Sequence, residues 1–339
     1  MWLSGYTHRK RITIDQTKID ADLTDFPVRV NLNADGDIGA LCRSDGYDIR
    51  FTSSDGETLL KYERENFSVA SSQAIGNFWV KVPSVSGSSD TVIYIYYGKS
   101  DASDGADPEN VWDSNFKMVQ HLKDNTTSQV LDSTSNNNDG TKKGANEPVE
   151  AAGQIYKAQD FDGSDDYISL GSGASINITG ALSIEAWVYI DSVTGEPSII
   201  DIDGLKYGFT AYTSAGDIWF YIHDGRNNAH ASCGTGAWHH VVGTWDGTKD
   251  ANGMKLYIDG TLVAQHTSTY DTTAVSGDTL QLGRRLTANY FDGKIDEVRI
   301  SNVARSAAWI KASYHSEANS LLSFGSEEEF MPSAFFLLF

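Results

Sequence analysis

Cysteine is nearly absent: the 339 residues contain two, Cys42 and Cys233, far apart in the chain. A dense disulfide framework is therefore excluded, and no Cys/His cluster has the spacing of a zinc site. One bridge between the two remains open, provided that the fold brings their Cα atoms within ~7 Å. Positive charge is also scarce. Lys and Arg number 26 against 46 Asp and Glu, for a formal net charge of -20. Such a surface repels phosphate backbones, because nucleic-acid affinity depends on Lys and Arg displacing counterions. It repels anionic membrane surfaces for the same reason, so nucleic acid is rejected first as a partner. No segment approaches the ~20 apolar residues that span a bilayer, which argues against membrane insertion. Met1-Trp2-Leu3-Ser4-Gly5 has no charged leader followed by an apolar run, so no signal peptide is expected there. The carboxylate excess suits calcium, a salty milieu, or plain solubility.

What the chain does have is alternation. Ile12 and Ile14, then Val28, Val30 and Leu32, alternate with polar residues, and Phe78-Trp79-Val80-Lys81-Val82 and Val92 to Tyr97 follow. Period two with β-branched and aromatic residues predicts strands, punctuated by turn clusters such as Asp35-Gly36-Asp37 and Ser54-Asp55-Gly56. Nothing before residue 110 reads as a long helix. Residues 98–110 shift to Gly, Ser, Asp, Ala and Pro and mark a domain boundary. Their acids Asp101, Asp104, Asp107 and Glu109 read as a solvated linker rather than a calcium loop, since the alternate ligands of an EF-hand are missing. A second strand series runs from Ser183 to Ile300, with the hairpin signal Asp259-Gly260. Ala304 to Tyr314 is the one helical stretch, with Trp309 and Ile310 directed inward. The expected fold class is all-β: a β-sandwich over 1–110, a second sandwich over 111–328, and an apolar tail over 329–339.

Phe161-Asp162-Gly163-Ser164-Asp165-Asp166-Tyr167-Ile168, Leu182 to Val188, Trp238-His239-His240-Val241, Leu256 to Gly260 and Gly293 to Ile300 follow in a familiar order and spacing. Over residues 115–328 they resemble the laminin-G-like, concanavalin A-like jelly rolls. The first half, through Trp2 to Tyr6, Tyr47 to Phe51, Phe78 to Val82 and Ile93 to Gly98, resembles domain of unknown function 2341. The first resemblance implies one structural calcium ion at Asp162, Asp165 or Asp166, and Asp296. On their own chemistry Asp162 and Asp165 have a second reading, as caps of the turn before Tyr167.

Other candidates are weighed from the residues. A glycosidase places two carboxylates on one face, within several ångströms of each other. Adjacent Asp296 and Glu297 point to opposite faces of a strand, and Asp201 with Asp203 sit against Gly204 in a turn. His239, His240 and His121 lack any nucleophile signature and read as packed strand histidines satisfied by carbonyls. Tyr207 to His230 is the best recognition segment: aromatic rings stack on sugars while Asn, Asp and Arg bond hydroxyls. Within it Trp219 and Tyr221 are expected in the core, and Asp224, Arg226, Asn227 and Asn228, with Tyr290, are expected as exposed ligand contacts.

The expected function is a non-catalytic recognition or adhesion module for a glycan or other cell-surface polymer, extracellular or on a virus particle. A structural subunit of a fibre, spike or sheath is the alternative, with self-association or docking through the Phe-rich tail after Glu329. A polysaccharide-cleaving enzyme comes third, because no carboxylate pair is evident.

Overall fold

In the computed structural model, residues 1–144, 147–202, 204–223, 225 and 227–331 are described. The chain forms two compact units: Met1–Val111 together with the segment from Asn319 onward, and Trp112–Ala318.

In the first unit the alternating runs become β1 (His8–Ile14), β2 (Leu23–Asp35), β3 (Arg50–Ser53), β4 (Tyr62–Ala70), β5 (Gln73–Val85) and β6 (Thr91–Tyr97). One short helix, α1 (Gly36–Leu41), starts where the Asp35 carboxylate accepts the Ile38 N–H at 3.0 Å. Strands β2, β5 and β4 make one sheet, and β1, β6 and β3 lie in another. Phe51 of the second sheet packs edge-to-face on Phe78 of the first, with ring centroids 5.5 Å apart, so the two sheets share one core. The boundary segment is tied to this unit. Arg64 pairs with Asp104 and Lys61 with Asp107, each at 2.6 Å, so these acids are ion-paired rather than merely solvated.

The second unit contains β7 (Phe116–Thr126), β8 (Gln129–Asp132), β9 (Gly140–Lys143), β10 (Val149–Ala152), β11 (Lys157–Asp162), β12 (Tyr167–Gly171), β13 (Leu182–Ser192) and β14 (Ser198–Ile202). It continues through β15 (Tyr207–Tyr212), β16 (Asp217–Ile222), β17 (Asn227–Ser232), β18 (Trp238–Trp245), β19 (Met254–Ile258), β20 (Thr261–His266), β21 (Leu280–Leu282) and β22 (Asp292–Ser301). The order β17-β16-β15-β14-β21-β12-β9 gives one layer; β7-β22-β13-β18-β19-β20 gives the other, joined through β8. Alternate residues of both layers, among them Ile218, Phe220 and Ile222 against Ile184, Ala186 and Val188, fill one apolar core. The layers approach so closely that a Cβ on Gly243 of β18 would meet the Phe220 ring of β16 at 2.2 Å, which is why that strand position lacks a side chain. The all-β class expected from the alternation, and the jelly roll that the resemblance implies, are the class observed.

Two boundaries differ from the sequence reading. The helix α2 runs Ala307–Glu317, capped by Ser306, so it extends three residues beyond Tyr314. The last strand, β23 (Leu322–Glu329), does not close the second sandwich. It pairs antiparallel with β1 in the first unit, setting His8, Arg9 and Lys10 opposite Glu329, Glu328 and Glu327. Charge is the reason: basic β1 is matched by an acidic strand, with Arg9 to Glu328 at 2.7 Å and the Tyr97 hydroxyl donating to Glu327 at 2.6 Å. The two cysteines remain free thiols.

Candidate ligand-binding face

A sandwich has two outer faces, and the second unit treats them differently. On β13, β18 and β22 the residues alternating with the core are Glu185, Trp187, His240, Glu297 and Arg299, all buried. Helix α2 lies over them and adds Glu317 from its last turn. Arg299 is the hub. It pairs with Glu297 at 2.8 Å, with Glu185 at 3.3 Å, and with Glu317. His240 reaches Glu185 at 2.9 Å, His121 reaches Glu297 at 2.7 Å, and the Trp187 indole donates to Glu317 at 2.6 Å. Burial pushes the Glu185 and Glu297 carboxyls upward, but Arg299 and the histidines outweigh it, so both are held below the ordinary range. Burial lowers the His240 imidazole, yet Glu185 and Glu317 raise it overall. Glu317 is the exception, raised by burial and by its carboxylate neighbours. The histidines expected to meet carbonyls thus meet carboxylates. Glu185, His240 and Glu317 bring ligand atoms within 4.8 Å of one another, but Arg299 already supplies the cation that these carboxylates require.

Among the described residues, no helix lies over the opposite outer face. Here the residues alternating with core Ile218, Phe220 and Ile222 are Trp219 and Tyr221; Tyr221 is buried, as expected, whereas Trp219 is only half-buried and its expected place in the core is corrected. Both faces of β16 carry large apolar rings, and alternation alone does not say which is inward. Trp219 is half-buried between Tyr212 and His230, with ring centroids 4.4 Å and 5.0 Å away and planes within 30° of parallel. Thr210, Trp219 and His230 are cross-strand partners, which sets the spacing, and His230 is the exposed end of the stack. Tyr221 is buried on this side, its hydroxyl donating to Asp201 at 2.6 Å. Asp201 also accepts the Gly204 and Leu205 N–H groups at 3.0 Å, which makes it the anchor of a turn. Asp203, its partner in the sequence reading, lies outside the described residues.

Of the expected contacts, Asp224 and Arg226 also lie outside the described residues. Asn227 is buried, its side-chain oxygen accepting from the Thr269 N–H and hydroxyl at 3.1 Å, so it braces a loop. Asn228 stands on the outer face opposite Tyr221, bonded to His230 at 3.0 Å. Tyr290 is half-buried, next to Asn289, whose carbonyl accepts the Ser198 N–H at the start of β14. Of the three that are described, Asn227 serves the fold and Asn228 meets His230, to which the structure adds Trp219 and Tyr212.

The implied metal ligands divide as well. Asp162, Asp165 and Asp166 converge, with one carboxylate oxygen of each within 4.8 Å of the others. Asp296 is not among them. It is buried four residues along β22 from Asp292, the partner of Asp162, and accepts the Ile155 N–H at 3.0 Å. The turn reading also holds, since Asp162 accepts the Ser164 N–H at 2.8 Å. One feature goes beyond a turn: Asp166 Oδ1 is buried and has no hydrogen-bond partner among the described residues. Burial, then Asp162 and Asp165, push the Asp166 carboxyl up to about 6. A Cβ on Gly144 would come within 2.7 Å of that oxygen, so the glycine keeps the space beside it open. Three carboxylates with an unsatisfied buried oxygen fit a hard cation such as calcium.

An open cleft of about 620 Å³ is lined by residues including Asn136, Ser175, Asn177, Thr179 and Asn302. Lys117 is its one charged lining residue.

Residues 162–311 match the concanavalin A-like lectin/glucanases superfamily, and 45–138 match domain of unknown function 2341. The chain carries a concanavalin A-like domain. The second match begins past the Trp2 to Tyr6 run and extends into the concanavalin A-like unit. No curated protein matches the chain. Among solved structures, the chain is similar to domain 4 of AbnA, an extracellular arabinanase from Geobacillus stearothermophilus, in complex with arabinotriose. That pairing has 22% identity over 58% of this chain and 97% of the other, with a TM-score of 0.46. The binding domain of Paraclostridial Mosquitocidal Protein 1 is 13% identical over 60% of this chain and 52% of its own, with a TM-score of 0.47. The binding domain of Botulinum Neurotoxin DC in complex with SialylT is 15% identical over 60% and 52%, with a TM-score of 0.45. The chain spans about half the length of these two toxin domains.

Proposed function

We propose that the concanavalin A-like unit is a non-catalytic recognition module that binds a glycan on its helix-free outer face, displayed outside a cell or on a virus particle. The carrying observation is Trp219, stacked between Tyr212 and His230 on the face that α2 leaves open. Aromatic rings on a rigid sheet offer a sugar apolar contact at small entropic cost, and Asn228 beside them supplies both a donor and an acceptor. A calcium ion held by Asp162, Asp165 and Asp166 would cancel their mutual repulsion and fix the turn; its role would be structural. The glycosidase reading fares worse. Glu185, Glu297 and Glu317 surround Arg299 beneath a helix, and the lining of the large cleft contains no carboxylate.

A glycan array in the presence of calcium tests the proposal. Bound glycans should be lost, or weakened about tenfold or more, in Trp219→Ala. An array with no bound glycan defeats the reading. A second reading, as a subunit of a fibre or sheath, is favoured by β23, an exposed edge strand of the first unit. Its mark is self-association without glycan affinity, measured by sedimentation.

A further inference from the structure

We infer that the recognition face reads a sugar carboxylate at a patch formed by Arg284, Tyr167 and Lys143, so that the ligand is an acidic glycan; this rests on the recognition reading. The patch is built from outer-face positions of three neighbouring strands. Ile168 and Leu170 of β12, and Leu280 and Leu282 of β21, face the core, which turns Tyr167, Ser169 and Gln281 outward. Lys143 and Thr141 of β9 are the cross-strand partners of Tyr167 and Ser169, and Gln281 is the partner of Ser169 on the other side. All five are accessible, as is Arg284. In a chain with 46 carboxylates, none of these six positions is acidic.

Arg284 is held in readiness. Its guanidinium carbon lies 3.3 Å from the Tyr167 ring centroid, and its Nε donates to Gln281 at 2.9 Å. Its two terminal nitrogens make no hydrogen bond and no ion pair among the described residues, nor does the Lys143 ammonium. The contrast with neighbouring Arg285 is instructive, because that guanidinium is paired with Glu196 at 3.2 Å. The backbone beneath is rigid. Gly283, at φ +79°, packs where a Cβ would meet the Phe161 ring at 2.4 Å, and it bonds both Ile199 and Phe291. A planar fork, stacked and tethered at Nε, presents two parallel N–H donors, and their natural complement is a carboxylate taken bidentately. Preorganisation by Tyr167 and Gln281 removes much of the rotamer entropy that a free arginine would lose on binding. The net charge of -20 narrows the class further. A densely charged polyphosphate is repelled by the whole surface, whereas a glycan with one carboxylate per sugar or repeat meets a local pair of cations.

The test starts from an array carrying neutral, sialylated and uronic-acid glycans, with calcium present. Each acidic hit is then compared with its methyl ester, which keeps the backbone and deletes the charge. Acidic glycans should bind, esterification should weaken them tenfold or more, and Arg284→Lys, which keeps charge but loses the fork, should match most of that loss. Lys143→Ala should cost less and its effect should fade in high salt. Unchanged circular dichroism of each variant shows that folding is intact, and the ester comparison needs no variant. Equal affinity for acid and ester, or full binding by Arg284→Lys, overturns the inference. Neutral glycans bound through Trp219 with no preference for acid leave the recognition reading standing and sink this one, whereas an empty array sinks both.

Discussion

The Trp187 indole N–H donates to Glu317 at 2.6 Å, joining the central strand β13 to the final residue of α2. The same carboxylate meets Arg299, which also holds Glu185 and Glu297. One helix end thus completes a buried cluster of three acids, one arginine and two histidines. Breaking a buried, hydrogen-bonded ion cluster from one side leaves charge without compensation, which typically costs 3–5 kcal/mol. Glu317→Ala should therefore destabilise the second unit by about 3 kcal/mol, read as a lower urea midpoint with an unchanged slope. Trp187→Phe removes only the donor and should cost about 1 kcal/mol. A Glu317→Ala loss below that of Trp187→Phe would contradict the hub geometry.

The cluster also sets a pH dependence. Glu185 and Glu297 are held below the ordinary carboxyl range, so their contribution is present above the unfolded value of ~4.3 and disappears as pH falls through the folded values. His240 is raised, so its contribution is complete below the unfolded value of ~6.5 and is lost as pH rises through the folded value. Glu317, raised, acts against the fold when charged and shifts the balance further toward mild acid. Stability of the second unit should peak between about pH 4.5 and 6.5 and decline on both sides. Denaturant midpoints across pH 4 to 9 measure it, and His240→Gln should flatten the alkaline limb. An alkaline limb that persists unchanged in that variant would assign it elsewhere.

Calcium binding makes a separate prediction. With Asp162, Asp165 and Asp166 converging and Asp166 Oδ1 unpartnered among the described residues, the turn is least comfortable without a cation. Calcium at a hundredfold excess over its Kd should stabilise the fold by about 2.7 kcal/mol, and chelation should reverse it. Asp166→Asn should abolish the shift, and Asp296→Asn should leave it in place although it loosens the 153–155 loop. A thermal transition indifferent to calcium and chelator would remove the metal from the account.

Strand existence was legible in the alternation, because period two with β-branched residues has one physical solution. Orientation was not legible wherever both faces are apolar. Ile218 to Ile222 reads equally well with Trp219 inside or outside, and only packing against Gly243 puts Phe220 inward. The Asp162 to Asp166 cluster was readable because turn chemistry is local, whereas Asp296 was misplaced because its position depends on the register of β22 with β11. The role of Arg299 was not legible. A lone arginine in a strand gives no sequence signal, and its three carboxylates come from β13, β22 and α2. The pattern Glu185, Trp187, Glu297 and Arg299, charged residues where a buried strand should be apolar, was the available clue.

The boundary expected between residues 328 and 329 falls inside the acidic run Glu327-Glu328-Glu329, and the pairing with β1 shows what that run does. Basic and acidic residues meet in register: His8, Arg9 and Lys10 stand against Glu329, Glu328 and Glu327. Most of β23 is exposed, so little apolar burial holds it and the charges and backbone bonds carry the attachment. Lys10 also pairs with Asp35 at 2.7 Å and Asp37 at 2.8 Å, which keeps the basic strand from being overcharged. Reversing the three glutamates to lysine should place like charges in direct opposition, a penalty of up to about 1 kcal/mol for each opposed pair. Amide hydrogens of 322–329 should then exchange faster, while those of β5, in the core sheet, keep their protection. Salt should narrow the difference, because exposed pairs are screened over ~10 Å at 0.1 M. Protection of β23 that survives the triple reversal would show that backbone pairing alone holds the strand and that its acidity is incidental.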